Sequence, residues 1–275
     1  MTAGSATAVS VDVEDARAAA QDVRRTVLEC AWRAGVGHIG SALSVADLVA
    51  AVYAVANATD PADPDRDRIV LSKGHAALAL FALLHRRGVL SQLDLSGYCL
   101  DGGALGVHPE HHVPGIDFAT GSLGQGLPMA VGAALGARMQ GSPRRTFAVV
   151  SDAECNEGSI WEAAMFAGHQ KLTGLTVLVD LNGQQALGRT ADISRVEDMA
   201  ARWSAFGWQA FDVDGHDVEA LIGALLAPVD RPRVVVAHTT SGHGVDFMAD
   251  RVEWHYLPMT EEQFVAALAH IGAAR

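Results

Sequence analysis

Asp152 stands just past the apolar run Thr-Phe-Ala-Val-Val, and Asn182 just past Leu-Thr-Val-Leu-Val, thirty positions further on. One helix and one strand of a βαβ unit fill such a gap, which places the two side chains at neighbouring strand ends. A carboxylate and an amide oxygen converging there suit a hard cation such as magnesium, which takes oxygen ligands and leaves positions for water and phosphate. An aspartate after a strand can equally be a helix cap, and the second oxygen at a matching height is what favours the metal. A glycine-rich turn, Gly121-Ser122-Leu123-Gly124-Gln125-Gly126, precedes the small-residue stretch PMAVGAALGARM. Bare amides at a helix start can hold phosphate, while the same glycines can serve only close packing. Their spacing is not the dinucleotide fingerprint. Among the histidines beside glycine, proline or tryptophan, four are singled out: His38, His75, His108 and His255. Histidine donates to phosphate or sugar hydroxyls and moves protons near neutral pH. His85, His111, His112, His169 and His270 lack a comparable context and read as structural or solvated.

These residues need a scaffold, and the pattern around them alternates helical stretches with short β-branched runs. That is the signature of an α/β fold, a parallel β-sheet flanked by helices on both faces. An opening helix is predicted over 13–32, ending at Gly35 and Gly37, and a second over 44–56, with Ser44 as cap and Asp47 completing a capping-box-like pair. Four buried strands are predicted over 68–71, 146–150, 175–179 and 233–237. Ligands of open parallel sheets bind at the carboxyl ends of strands. Chemistry is therefore expected in Ser72-Lys73-Gly74-His75, Ser151-Asp152-Ala153-Glu154, Asp180-Leu181-Asn182-Gly183 and His238-Thr239-Thr240-Ser241.

The chain has 275 residues, 49% hydrophobic and 19% charged, enough to bury a sizeable core. Twenty basic against 32 acidic residues give a formal net charge of -12, which argues against a broad electrostatic grip on nucleic acid or an anionic membrane. A phosphorylated ligand then needs a local site of amides, histidines or a metal. Cys30, Cys99 and Cys155 are scattered and lack metal-ligand spacing. No run reaches the roughly 18 apolar residues of a membrane helix, and no signal peptide is visible, so a cytoplasmic location is the expectation.

The motifs resemble the amino-terminal, thiamine-diphosphate-binding domain of transketolase. The pieces are GHIGSALSVADL at 37–48, DRIVLSKGHAALALFALL at 67–84, GVHPE at 106–110 and PGIDFATGSLGQGL at 114–127. They continue with SDAECNEGSIWEAAMFAG at 151–168, VDLNGQQALGRT at 179–190, DGHD at 214–217, and TTSGHGVDFM through VEWH at 239–255. They occur in the family's order along nearly the whole chain. The resemblance implies a thiamine-diphosphate-binding fold, with residues 1–275 as one domain and 1–12 flexible. It implies Asp152, Asn182 and the Gln184 carbonyl as ligands of magnesium, replaceable by calcium or manganese. His75 and His255 resemble diphosphate or reaction-centre histidines, and His38 and His108 resemble those of the sugar channel; all four are the catalytic candidates. Gly121, Leu123 and Ala153 resemble backbone contacts to the cofactor. Glu157 resembles the acid that joins two active sites across a subunit interface, or is a helix N-terminal acid.

Two departures stand out. The family's Gly-Asp-Gly is here Ser151-Asp152-Ala153, and a methyl group at 153 is expected to crowd the diphosphate or to force a different loop path. Val36 replaces a small polar residue before Gly37-His38, on what is expected to be the substrate side. The resemblance also implies a split enzyme. A partner polypeptide would supply the pyrimidine-binding and carboxyl-terminal domains, in an α2β2 assembly that moves a two-carbon ketol unit from a ketose or its phosphate to an aldose or its phosphate. The competing readings are the α subunit of a 2-oxo acid dehydrogenase, a specialised biosynthetic ketol or acyl transferase, and an inactive assembly subunit.

Overall fold

The computed structural model describes residues 11–58, 60–195 and 198–273. The expected flexible segment 1–12 lies outside the described residues up to position 10, while Asp12 caps the first helix by accepting from Asp15 N at 3.0 Å. That helix, Val13–Ala34, buries Ala16, Ala19, Ala20, Val23, Val27 and Leu28 at helical spacing and ends at Gly35 with φ 64°. Each Val or Leu so buried contributes about 1.5–3 kcal/mol.

Five parallel strands form the sheet, in the order β1-β2-β3-β7-β6: β1 (Arg68–Leu71), β2 (Thr146–Ser151), β3 (Leu175–Leu181), β6 (Gln209–Asp214) and β7 (Arg233–His238). A small antiparallel hairpin, β4 (Gln184–Gln185) with β5 (Gly188–Arg189), follows β3. Successive strand residues point to opposite faces. Ile69, Leu71, Phe147, Val149, Leu178 and Val235 pack under Val13–Ala34, Ala46–Val55, Ala77–Arg86 and Val218–Leu226. Val70, Ala148, Val150, Val177, Val179 and Val234 pack under Gly126–Met139, Gly158–His169 and Met199–Ala205. Coverage on both faces explains why these strands read as unbroken apolar runs.

The helix expected over 44–56 is Ala46–Val55, but Val45 and not Ser44 stands at its N-cap, and the short helix Ile39–Ser44 before it had no expectation. The Ser44 hydroxyl instead donates to Asp180 Oδ2 at 2.8 Å, and Asp47 pairs with buried Arg24. Strand β6 had no expectation because its residues are all half-buried or exposed at a sheet edge, so no apolar run marks it.

Candidate active site

The carboxyl ends of β1, β2 and β3 open into a cleft of about 250 Å³ whose lining includes His38, His75, Gly121, Leu123, Ala153, Glu157, Asn182, Gln184 and His255. His38, His75 and His255 form a triangle with ring centroids 5.2–5.4 Å apart, although the sequence separates them by up to 217 positions (255 − 38). His38 holds a left-handed conformation, φ 61°, with its N–H donating to His255 O at 3.3 Å. Such a conformation is costly for a residue with a Cβ and persists only where surrounding contacts impose it. Gly37 makes the approach possible, since a Cβ there would lie 2.3 Å from Tyr256 O. His75 Nε2 meets Ser41 Oγ at 3.1 Å. His108 is not part of the cleft lining, but its ring packs on Gly121, where an added Cβ would lie 2.7 Å from His108 Cδ2.

Burial is the main force on these rings. It pushes His75 down to about 2, with Lys73 and the neighbouring histidines adding to it, and pushes His255 down to about 4. His38 is lowered as well, first by burial and then by His108. Neutral imidazoles retain one donor and one acceptor each, the form suited to hydrogen-bonding diphosphate and hydroxyl groups. An unfolded chain takes up a proton below about 6.5, whereas folded His75 does not until about 2, so stability is full above 6.5 and falls as the pH drops between the two. His75→Gln should therefore flatten the pH dependence of the urea unfolding free energy between pH 6.5 and 4.5, by about 1.4 kcal/mol per pH unit. An unchanged slope would show that His75 is not buried as a neutral ring.

On the metal side, β2 and β3 pair in parallel with Ser151 opposite Asp180, which brings the Asp152 and Asn182 segments together. Asp152 stands between two residues of the lining, Ser151 and Ala153. Its Oδ2 accepts from Gly183 N at 3.1 Å, while its buried Oδ1 has no hydrogen-bond partner. Burial, with Asp180 nearby, raises Asp152 to about 6 although several donors oppose the shift. Asn182 Oδ1 accepts from Gln184 N at 3.0 Å. An orphaned carboxylate oxygen beside an amide oxygen and a loop carbonyl is a donor set that fits magnesium.

The departure at Ser151-Asp152-Ala153 is accommodated by the local backbone. Ala153 has φ −62° and ψ −38°, a right-handed conformation that alanine adopts without strain. Ser151 Oγ accepts from Glu154 N at 3.1 Å, and Glu154 Oε2 accepts from Ser151 N at 3.4 Å, a reciprocal cap that glycine could not make. Val36 packs on the core and is absent from the cleft lining, contrary to the expectation that it faces substrate.

Glu154, a strand-end residue not among the candidate ligands, is 0% exposed and organises the glycine-rich turn. It accepts from Ser72 Oγ and from Gly124 N, the latter at 2.8 Å. The Gly124 amide is thus spent on protein, and Gly126 is a packing position, where a Cβ would lie 2.3 Å from Ser72 Oγ. Only Gly121 and Leu123 of this turn line the cleft. Glu157 is exposed at the start of Gly158–His169 and makes no side-chain capping bond. A separate cluster of Asp47, His216 and His243 has metal-like spacing, but Asp47 and both ring nitrogens of His216 are already engaged. Arg24 pairs with Asp47, and Thr240 N donates to His216 Nε2 at 2.9 Å, so His216 Nδ1 carries the proton donated to Asp47 Oδ2 at 2.8 Å.

The family profile described as transketolase, thiamine diphosphate binding domain, matches residues 15–274. The 6-deoxy-6-sulfo-D-fructose transketolase subunit of Clostridium sp. strain MSTE9 is 37% identical over 256 residues, 90% of this chain and 93% of that protein. An apulose-4-phosphate transketolase subunit from Phocaeicola vulgatus is 34% identical over 269 residues, 95% of each chain. Transketolase from Campylobacter jejuni superposes with a TM-score of 0.89 at 28% identity, over 95% of this chain and 43% of that one. The chain belongs to the transketolase thiamine-diphosphate-binding-domain family. It matches the two subunits along nearly their full length and less than half of the solved Campylobacter transketolase.

Proposed function

We propose that this chain is the thiamine-diphosphate-binding subunit of a two-component transketolase that passes a two-carbon ketol unit from a ketose or ketose phosphate to an aldose or aldose phosphate. The observation that carries the reading is one set of strand ends where Asp152, whose buried Oδ1 has no hydrogen-bond partner, stands between the lining residues Ser151 and Ala153 of a cleft that holds Asn182 and the His38, His75 and His255 triangle. The orphaned Oδ1 speaks against an inactive assembly subunit, because a buried polar atom without a partner is costly to retain.

Asp152, Asn182 and the Gln184 carbonyl would hold magnesium, with calcium or manganese as substitutes, and the ion would tie the diphosphate to the protein. Gly121, Leu123 and Ala153 would supply backbone contacts. Bound thiamine diphosphate would serve as the electron sink for cleaving and forming the carbon–carbon bond. His75 and His255 can hydrogen-bond anionic or reacting oxygens without bringing positive charge, and His38 and His108 can orient sugar hydroxyls. The partner would carry the pyrimidine-binding and carboxyl-terminal domains in an α2β2 assembly, and Glu157 stands exposed where it can reach another subunit. A cytoplasmic location suits phosphorylated substrates, and no helix among the described residues is long and apolar enough to cross a membrane.

Co-expression with the product of an adjacent gene encoding those domains should give a complex that transfers ketol units with thiamine diphosphate and magnesium and does not decarboxylate pyruvate. Pyruvate decarboxylation without ketol transfer would favour a 2-oxo acid dehydrogenase subunit instead.

A further inference from the structure

We propose that the buried Lys73–Asp180 pair is a positioning device that sets the orientation of the Asn182 amide towards the metal. The inference rests on reading the cleft as a magnesium and diphosphate site. Both side chains are 0% exposed. Taking two charges out of water is costly, and replacement by apolar residues is often neutral or stabilising, so stability is a poor account of why the pair is there.

What the pair does is visible in its partners. The Asp180 carboxylate collects four donors from four segments. Lys73 Nζ comes from the end of β1, and Ser44 Oγ, at 2.8 Å, from the end of Ile39–Ser44. Asn182 Nδ2, at 3.2 Å, comes from the end of β3, and Thr239 Oγ1 from the end of β7. The Asp180 carbonyl also accepts from Asp152 N at 3.2 Å. One residue therefore registers the backbone of one candidate ligand and the side chain of the other.

A carboxylate accepts hydrogen bonds and donates none, so the oxygen of Asn182 cannot face it. The amide has a single satisfied orientation. Its nitrogen turns inward to Asp180, and Oδ1 turns to the Gln184 loop that lines the cleft. Lys73 balances the carboxylate from the other side. An uncharged amide at 180 carries a donor of its own and would let Asn182 flip, presenting NH2 groups where the cation needs oxygen.

The test uses the assembled two-subunit enzyme and a Lys73→Met/Asp180→Asn double variant, which removes both charges and strands neither. Magnesium affinity in the presence of thiamine diphosphate is read by calorimetry, and the fold by far-UV circular dichroism and the metal-free unfolding midpoint. The expected result is a native spectrum, a little-changed midpoint and a magnesium affinity weaker by about 10–100-fold, the usual cost of losing an outer-shell partner. Thr239→Val, which removes one donor while leaving the pair intact, should weaken the affinity severalfold and serves if the double variant does not fold. Unaltered affinity in a folded variant would overturn the positioning role. If the wild-type assembly showed no magnesium-dependent diphosphate binding, the functional reading itself would fall, and the inference with it.

Discussion

Asp152→Ala is expected to abolish magnesium-dependent binding of thiamine diphosphate to the assembled enzyme. The residue is 1% exposed and its Oδ1 has no partner, so the carboxylate is held away from water with half of its accepting capacity unused. Burial and the neighbouring Asp180 raise it to about 6, which means that the metal-free fold disfavours the charged form. A divalent cation reverses that balance, and an alanine methyl offers no oxygen in its place. The loss should exceed the roughly 10–100-fold that removing an outer-shell partner costs. The pH sign separates binding from folding. A carboxyl raised in the folded state weakens stability as the pH rises from about 4 to 6, and that penalty is complete above 6. The metal-free variant should therefore unfold at or above the wild-type temperature at pH 8 while failing to bind in calorimetry. Normal affinity in the variant would sink the metal assignment.

The second large effect is expected on assembly. The purified chain alone should show no ketol transfer, and adding its partner should raise turnover by at least roughly 1,000-fold, about 4 kcal/mol of barrier. The cleft explains why. Of the residues that line it, Glu157 is the sole carboxylate, and it is exposed. Among the described residues, the cleft lining therefore holds no buried carboxylate to act on the pyrimidine end of the cofactor. Met129, Met165 and Phe166 are exposed on the two helices that begin beside the cleft, which suits a surface covered by another chain. Robust turnover by a preparation free of any partner would refute the two-component reading.

Much of the scaffold was legible because parallel strands covered on both faces must be apolar without interruption. The runs at 68–71, 146–150, 175–179 and 233–237 are strands within two residues of those bounds. Edge strand β6 was not legible, since its exposed positions dilute the same signal. The short helix Ile39–Ser44 was also hidden, and the cap was misplaced, because Ser44 and Asp47 look like a capping pair but are drawn into tertiary contacts with Asp180, Arg24 and His216. Buried charges that must be paired outweigh a helix cap worth about 1 kcal/mol, so the local signal gives way to the tertiary one.

By itself the sequence determined the class of fold, the strand ends and the chemical types standing there, because side-chain type and apolar periodicity are properties of the chain. The tertiary structure decided which of those residues meet. Three histidines from distant segments share one cleft, whereas His108 packs beside it on Gly121. The glycine turn divides its amides between the cleft and Glu154. Ala153 is unstrained at a backbone angle that no residue name encodes. Lys73 and Asp180, 107 positions apart, become one buried pair. Orientation and desolvation depend on neighbours brought together by the sheet, and only folding supplies those neighbours.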